Sequence, residues 1–286
     1  MMVHIVADSA CDLPLEFYEK HGVTLLPLGV HIEENDYRDL VTISPKEVYD
    51  AMREGKIAKT TQISPLDVKE AFTEFAKKQV PVLYVAFSSE LSGTYQTAVM
   101  IGNEVKEEYP DFELSIVDSK CASLGLGLAV KYAVDLASKG NTLHEIEASV
   151  KDFCEHTEHI FTVDNLEYLA RGGRISKASA FVGGLLNIKP LLHVEGGKLI
   201  PLEKLRGRKK VFRRVIELMK ERGVNLESQT IAISHGDDED SAKEIKAMIE
   251  IEFHPNEVYI NTVGCSVGAH SGPGTIAIFF SNKPIS

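Results

Sequence analysis

Ser88, Ser89, Ser92 and Thr94 crowd one short stretch, "SSELSGTYQTA" at 88–98, directly after the apolar run "VPVLYVAF". Hydroxyls at such a lip can do one of two things. They can cap the helix that the sequence predicts from Gly93 onward. They can also hold a small anion, because amides at a helix start lack partners and point outward. Gly93 suits the second role, since the missing Cβ lets a ligand approach the backbone. Three other stretches present similar polar groups after strand-like runs: "ADSACD", "KTTQIS" and "VDSKCAS".

A second set of candidates lies in the C-terminal half. His270 sits in "GAHSGPG", which reads as a flexible loop before the last strand, where an imidazole titrates near neutral pH. "LARGGRIS" and "KLRGRKKVFRR" gather Arg171, Arg174, Arg206, Arg208, Lys209, Lys210, Arg213 and Arg214. Such a run is either a solvated face or a grip for phosphate, which guanidinium holds bidentately. "SAFVGGLLNIKPLL" at 179–192, with Gly183 and Gly184, reads as core packing or as a tunnel wall. Asp8, Asp118 and Asp164 end strands, as caps or as orienting groups.

Several chemistries lack their signatures. The chain has no GxxxxGK[ST], no HExxH and no GxSxG, and "LGLGLAVK" lacks the third glycine of a dinucleotide fingerprint. Cys11, Cys121, Cys154 and Cys265 form no CxxC pair and have no metal-ligand spacing, so four reduced thiols and no metal are expected. Cys11 and Cys265 fall in expected loops.

The elements that must position these residues alternate. Pro14 and Gly22 bracket a first helix, and Ser44–Glu47 and Thr142–Glu145 read as capping boxes. Ser64, Pro65 and Asp67 start a further helix. Strands and helices in turn predict βαβ units and a mainly parallel sheet, with ligands beyond the carboxyl ends of its strands. If its strands are parallel, the four polar exits share one edge. "VTLLPLGVHI" reads as one strand, and "KPLLHVEGGKLIPLEKL" as a hairpin turned at Gly196 and Gly197. The expected fold is α/β in two domains. Residues 1–160 form a mainly parallel sheet flanked by helices, and residues 161–286 a mixed sheet with helices.

The 286 residues carry a net charge of -11, which argues against a general nucleic-acid surface. The start "MMVHIVADSA" lacks a basic n-region, and no apolar run reaches the ~18 residues of a membrane span. A cytoplasmic protein is expected.

Seven separated stretches together resemble the DegV family: "ADSACDLP", "KTTQISP", "SSELSGTYQTA", "VDSKCAS", "LEYLARGGRIS", "LNIKPLLHVEGGKLIPLEKLRGRKK" and "GAHSGPGTIAIFF". The resemblance implies a DegV-like two-domain fold that holds one long-chain fatty acid and needs no other cofactor. It also implies a partner, a separate ATP-binding fatty acid kinase that phosphorylates the carried acid for phospholipid synthesis. Transient membrane contact is left open. By family pattern the carboxylate contacts fall on Thr60 or Thr61, on Ser92 with Gly93, and on His270. Arg174 and Arg206 are implied to meet the kinase or the phosphate-bearing end.

The chemistry is coherent. Burying a tail of roughly sixteen carbons supplies on the order of 10 kcal/mol gross. An unaided carboxylate would cancel much of that, so hydroxyls, an amide and an imidazole are needed at its head. Two other readings compete. One is a self-sufficient hydrolase with Ser92 as nucleophile and His270 as base. The other is a structural or regulatory protein with an adventitious lipid.

Overall fold

The computed structural model describes residues 2–175 and 188–284. The first half runs β1 (His4–Asp8), α1 (Leu15–His21), β2 (Thr24–Leu26), β3 (Gly29–Ile32), β4 (Asn35–Arg38), α2 (Pro45–Arg53), β5 (Ala58–Thr61), α3 (Pro65–Lys77), β6 (Val82–Ala86), α4 (Thr94–Glu108), β7 (Leu114–Asp118), α5 (Leu124–Ser138) and α6 (Leu143–Glu155). The second runs β8 (Thr157–Thr162), α7 (Glu167–Arg171), β9 (Ile188–Glu195), β10 (Lys198–Arg206), α8 (Arg208–Arg222), β11 (Thr230–His235), α9 (Glu239–Phe253), β12 (Glu257–Thr262), α10 (Cys265–Ser271) and β13 (Ile276–Ser281).

Strands β2-β1-β6-β7 form a parallel sheet. All five residues of β6 are buried, as expected of a strand covered on both faces. The second large sheet has the order β10-β9-β8-β13-β11-β12 and is mixed, since only β11 and β12 run parallel. Strand alternation divides its residues between two faces. Ile160, Leu191, Ile233, Ile276 and Ile278 pack with Val215 of α8 and Ile245 of α9. Phe161, Leu192, Ala277 and Phe279 face the other way and join one continuous apolar core with the β1, β6 and α5 residues of the first half.

The capping boxes at Ser44–Glu47 and Thr142–Glu145 are both complete, and Gly22 ends α1 at φ +62°. Ser64 accepts from the Asp67 amide. The hairpin turns at Gly196 and Gly197 as expected, with φ +55° and +84°.

Three expectations are corrected. "VTLLPLGVHI" is two strands. β2 stops before Pro27, which has no amide to donate, and β3 starts a separate antiparallel sheet, β4-β3-β5. "KTTQIS" therefore leaves that small sheet, and only the exits of β1, β6 and β7 share the parallel sheet's edge. His270 lies in no loop: it is the sixth residue of α10, which ends at Gly272 with φ +80°.

Cys11 and Cys265 are buried rather than in open loops, and burial pushes both thiols well up, which leaves them poor nucleophiles. In the 179–192 stretch, residues 179–187, with Gly183 and Gly184, lie outside the described residues. Ile188–Leu192 begin β9.

Candidate functional site

The parallel sheet's exits, the small sheet and one face of the mixed sheet enclose a cavity of about 240 Å³. Its apolar wall includes Leu28, Phe87, Phe161, Leu169, Val267 and Phe279. Val194 and Leu199 come from the β9–β10 hairpin. The hairpin tip is tied across the molecule: Ser88 Oγ donates to the Gly197 carbonyl at 2.9 Å, and Lys198 pairs with Glu90 at 3.4 Å.

Thr60, Thr61, Ser92, Gly93 and His270 all line this cavity. β5 carries the threonines and α10 carries His270, and the two elements pack together. Thr60 Oγ1 lies 2.7 Å from His270 Nε2. Thr61 is exposed and opposes Gly29 on β3, where a Cβ would fall 2.0 Å from the Thr61 hydroxyl. The structure thus pairs Thr60 with the imidazole and leaves Thr61 beside it.

The lip after β6 divides its labour. Ser88 is spent on the hairpin, and Ser89 Oγ accepts from Lys120 Nζ at 2.6 Å. Thr94 Oγ1 accepts from the Ile63 amide at 3.4 Å. Ser92 is the lip hydroxyl on the cavity wall; it lies 3.0 Å from Thr94 Oγ1 and accepts from the Thr94 amide at 3.3 Å. Gly93 lies close under the Gln62 side chain: a Cβ there would fall 2.2 Å from Gln62 Oε1. Ser92 thus braces the start of α4 and also faces the cavity.

Position and charge act together on His270. Burial, then the neighbouring Arg174 guanidinium, pushes its imidazole down to about 4. It is neutral at pH 7, which corrects the expectation of a near-neutral titration. A Cβ on Gly172 would fall 2.1 Å from its Nδ1, so the Gly172 backbone bounds the ring on that side. Asp39 anchors the other end of α10. Its carboxylate accepts from the Cys265 amide at 3.2 Å, from the Ser266 amide at 3.0 Å and from the Ser266 hydroxyl, and from Ser9 Oγ at 2.9 Å.

The two singled-out arginines lie in different places. Arg174 is part of the cavity wall, with Nε donating to the Leu91 carbonyl at 3.0 Å and a terminal nitrogen to the Gly172 carbonyl. Arg206 is exposed at the end of β10, with no ion pair among the described residues. Lys209, Lys210 and Arg213 are exposed too. Arg208 is not part of that face: it clamps Asp164 at 2.6 Å, Asp238, Ser241 and the Gly274 carbonyl. Arg214 is taken up by Glu203, Glu217 and Glu221.

The strand-end aspartates are structural. Asp8 accepts from Tyr84 and the Phe87 amide, both at 2.8 Å, and burial raises its carboxyl to about 6. Asp118 accepts from the Ser89 amide, and Asp164 pairs with Lys189 and Arg208. No group of three or more His, Cys, Asp or Glu that could hold a metal occurs among the described residues.

The DegV family model, described as "Uncharacterised protein, DegV family", matches residues 2–283. The chain belongs to the DegV family. A DegV domain-containing protein of Clostridium perfringens is 38% identical over 279 residues, covering 96% of each chain. Two solved structures superpose along nearly the whole length. One, described as showing fatty acid binding of a DegV family protein from Thermus thermophilus, has 31% identity and TM-score 0.89, covering 98% of this chain and 100% of that one. The other, a stearic acid-binding protein from Eubacterium ventriosum, has 27% identity and TM-score 0.89, covering 98% and 99%. The α/β fold with one parallel and one mixed sheet is that of DegV proteins.

Several further residues of this DegV chain line the cavity. His159 is fully buried on β8, accepts from the Ala122 amide at 3.2 Å and has its Nδ1 3.0 Å from the Thr157 carbonyl. Ser123, Ser234, Ser266 and Ser271 also line the cavity. They come from three segments, since Ser266 and Ser271 share α10. Ser123 and Ser271 fall within "VDSKCAS" and "GAHSGPG", whereas Ser234 and Ser266 carry no spacing that marks them.

Proposed function

We propose that this chain binds one long-chain fatty acid, with the tail in the apolar cavity and the carboxylate at Thr60, Ser92 and His270. Thr61 and the Gly93 backbone flank that head. In this reading residues 1–160 supply the hydroxyls and residues 161–286 the imidazole and much of the tail wall. The observation that carries it is the Thr60–His270 pair at 2.7 Å on the wall of an apolar cavity that also holds Ser92. Hydroxyl and imidazole N–H groups compensate the head, while ~0.8 kcal/mol per buried CH₂ drives the tail. Arg174 supplies a fixed positive charge beside His270. The fatty-acid-binding relatives named above support the binding of a fatty acid.

The bound acid is presented to a separate ATP-dependent kinase, which forms the acyl phosphate. The exposed Arg206, Lys209, Lys210 and Arg213 face suits that acidic-nucleotide partner. The hydrolase alternative is disfavoured by geometry. His270 Nε2 is hydrogen-bonded to Thr60, and Ser92 Oγ to Thr94, rather than to each other.

Mass spectrometry of an organic extract tests the first step. One fatty acid per chain is expected, and a purified protein that neither carries nor takes up such an acid would refute the proposal. Incubation with ATP and a cognate kinase, with hydroxylamine trapping of acyl phosphate, tests the second.

A further inference from the structure

The hydroxyls around the cavity are not all occupied. Thr60 is paired with His270, Ser92 with Thr94, and Ser266 with Asp39. Thr275 Oγ1 donates to the Ser271 and Gly272 carbonyls at 3.1 and 2.9 Å. Ser123 is bonded to Asp12 and Ser234, and Thr61 is exposed, which leaves two buried hydroxyls with capacity to spare. Ser271 is 6% exposed, and its Oγ is buried without a hydrogen-bond partner among the described residues. Ser234 is fully buried, and its Oγ has one partner there, Ser123 Oγ at 2.9 Å. A hydroxyl can donate once and accept twice, so Ser234 keeps capacity to spare.

Behind Ser234 the chain of bonds continues. Ser123 Oγ is hydrogen-bonded to Asp12 Oδ2, and Asp12 Oδ1 is buried without a partner among the described residues. Burial pushes the Asp12 carboxyl well up. Ser123 donates to Asp12, so Ser234 donates to Ser123. This leaves the Ser234 oxygen with free lone pairs.

Both serines line the cavity. Ser234 on β11 is paired with Ala277 on β13, and Thr275, two residues before Ala277, holds the Ser271 carbonyl. Ala277, Phe161 and Phe279 surround this stretch with apolar surface. A plain alkyl chain lying there strands the hydroxyls, and a buried hydroxyl without a partner is costly.

We propose that the preferred ligand is a long-chain acid bearing an oxygen on its chain, a hydroxyl group that bonds to Ser271 and Ser234. This rests on the fatty-acid reading above and narrows it to oxygenated acids.

The test is competition between stearic acid and a panel of monohydroxystearic acids, with the hydroxyl moved along the chain, on the full-length delipidated protein. At least one isomer is expected to bind about fivefold or more tighter than stearic acid. Ser271→Ala or Ser234→Ala, checked for unchanged melting temperature, is expected to collapse that ratio toward one. If stearic acid binds at least as well as every isomer, the wall holds water and the proposal is overturned. If Ser271→Ala weakens stearic acid and the isomers equally, Ser271 belongs to the carboxylate site and the proposal is again overturned. If neither acid class binds, the fatty-acid reading itself fails and takes this one with it.

Discussion

Thr60 and His270 meet at 2.7 Å although 210 positions separate them in the chain. The contact joins the small antiparallel sheet to α10, and so joins the two halves of the molecule at the cavity wall. Thr60→Val and His270→Ala are each expected to weaken fatty-acid affinity by roughly ten- to a hundredfold, the range for a hydrogen bond to a charged group. Because the two side chains share one bond, the double variant should lose less than the product of the single losses. Displacement of a fluorescent fatty acid measures this, and full additivity would mean that the pair does not act together.

Gly172→Ala offers a sharper probe. The residue has φ −71°, which alanine adopts without strain, yet its Cβ would fall 2.1 Å from His270 Nδ1. The ring must move, and Thr60 with it. Ligand affinity should drop at least tenfold while the melting temperature changes by only a few degrees, as for a shift of about 1 kcal/mol. A large loss of stability with normal affinity would contradict this.

Arg206 and Arg208 are two residues apart and should behave oppositely. Arg208→Ala removes a half-buried guanidinium from Asp164 and Asp238, so stability should fall by about 1–2 kcal/mol and thermal unfolding should come earlier. Arg206→Glu changes an exposed side chain, so the fold and the bound lipid should stay and the KM for the kinase partner should rise. Circular dichroism and the acyl-phosphate assay separate the two outcomes.

Acid should destabilise the protein through His159. Burial lowers its imidazole to about 4, against 6.5 in the unfolded chain, so the unfolded state binds more protons between those values. Stability from this group is therefore full above pH ~6.5 and falls as pH drops to ~4, by about 3 kcal/mol. Asp8 has the opposite sign, because its carboxyl is raised to about 6 and its burial favours the acid side. The comparison must be with His159→Gln, whose urea midpoint should vary less with pH over this window. Equal slopes in the two proteins would refute the assignment.

The strand–helix rhythm was legible because caps and apolar runs are local. Ser44–Glu47, Gly22 and the Gly196–Gly197 turn each act within a few residues. The break at Pro27 was missed because a proline within an apolar run does not say which sheet each side joins. The two-turn α10 was missed for a related reason. "CSVGAHS" has few helix-forming side chains and is held instead by Asp39, over two hundred positions earlier. Thr60, Ser92 and His270 were found through a pattern of motifs, whereas Ser234 and Ser271 matter only through what surrounds them in space.

The apolar core that runs from β1, β6 and α5 to Phe161, Ala277 and Phe279 has a further consequence. Both halves contribute residues to that interior. Severed at the connection between α6 and β8, each piece would bare a broad oily face to solvent and clump. The intact polypeptide should therefore melt in a single calorimetric step, and gene fragments encoding either piece should yield inclusion bodies unless both are made together.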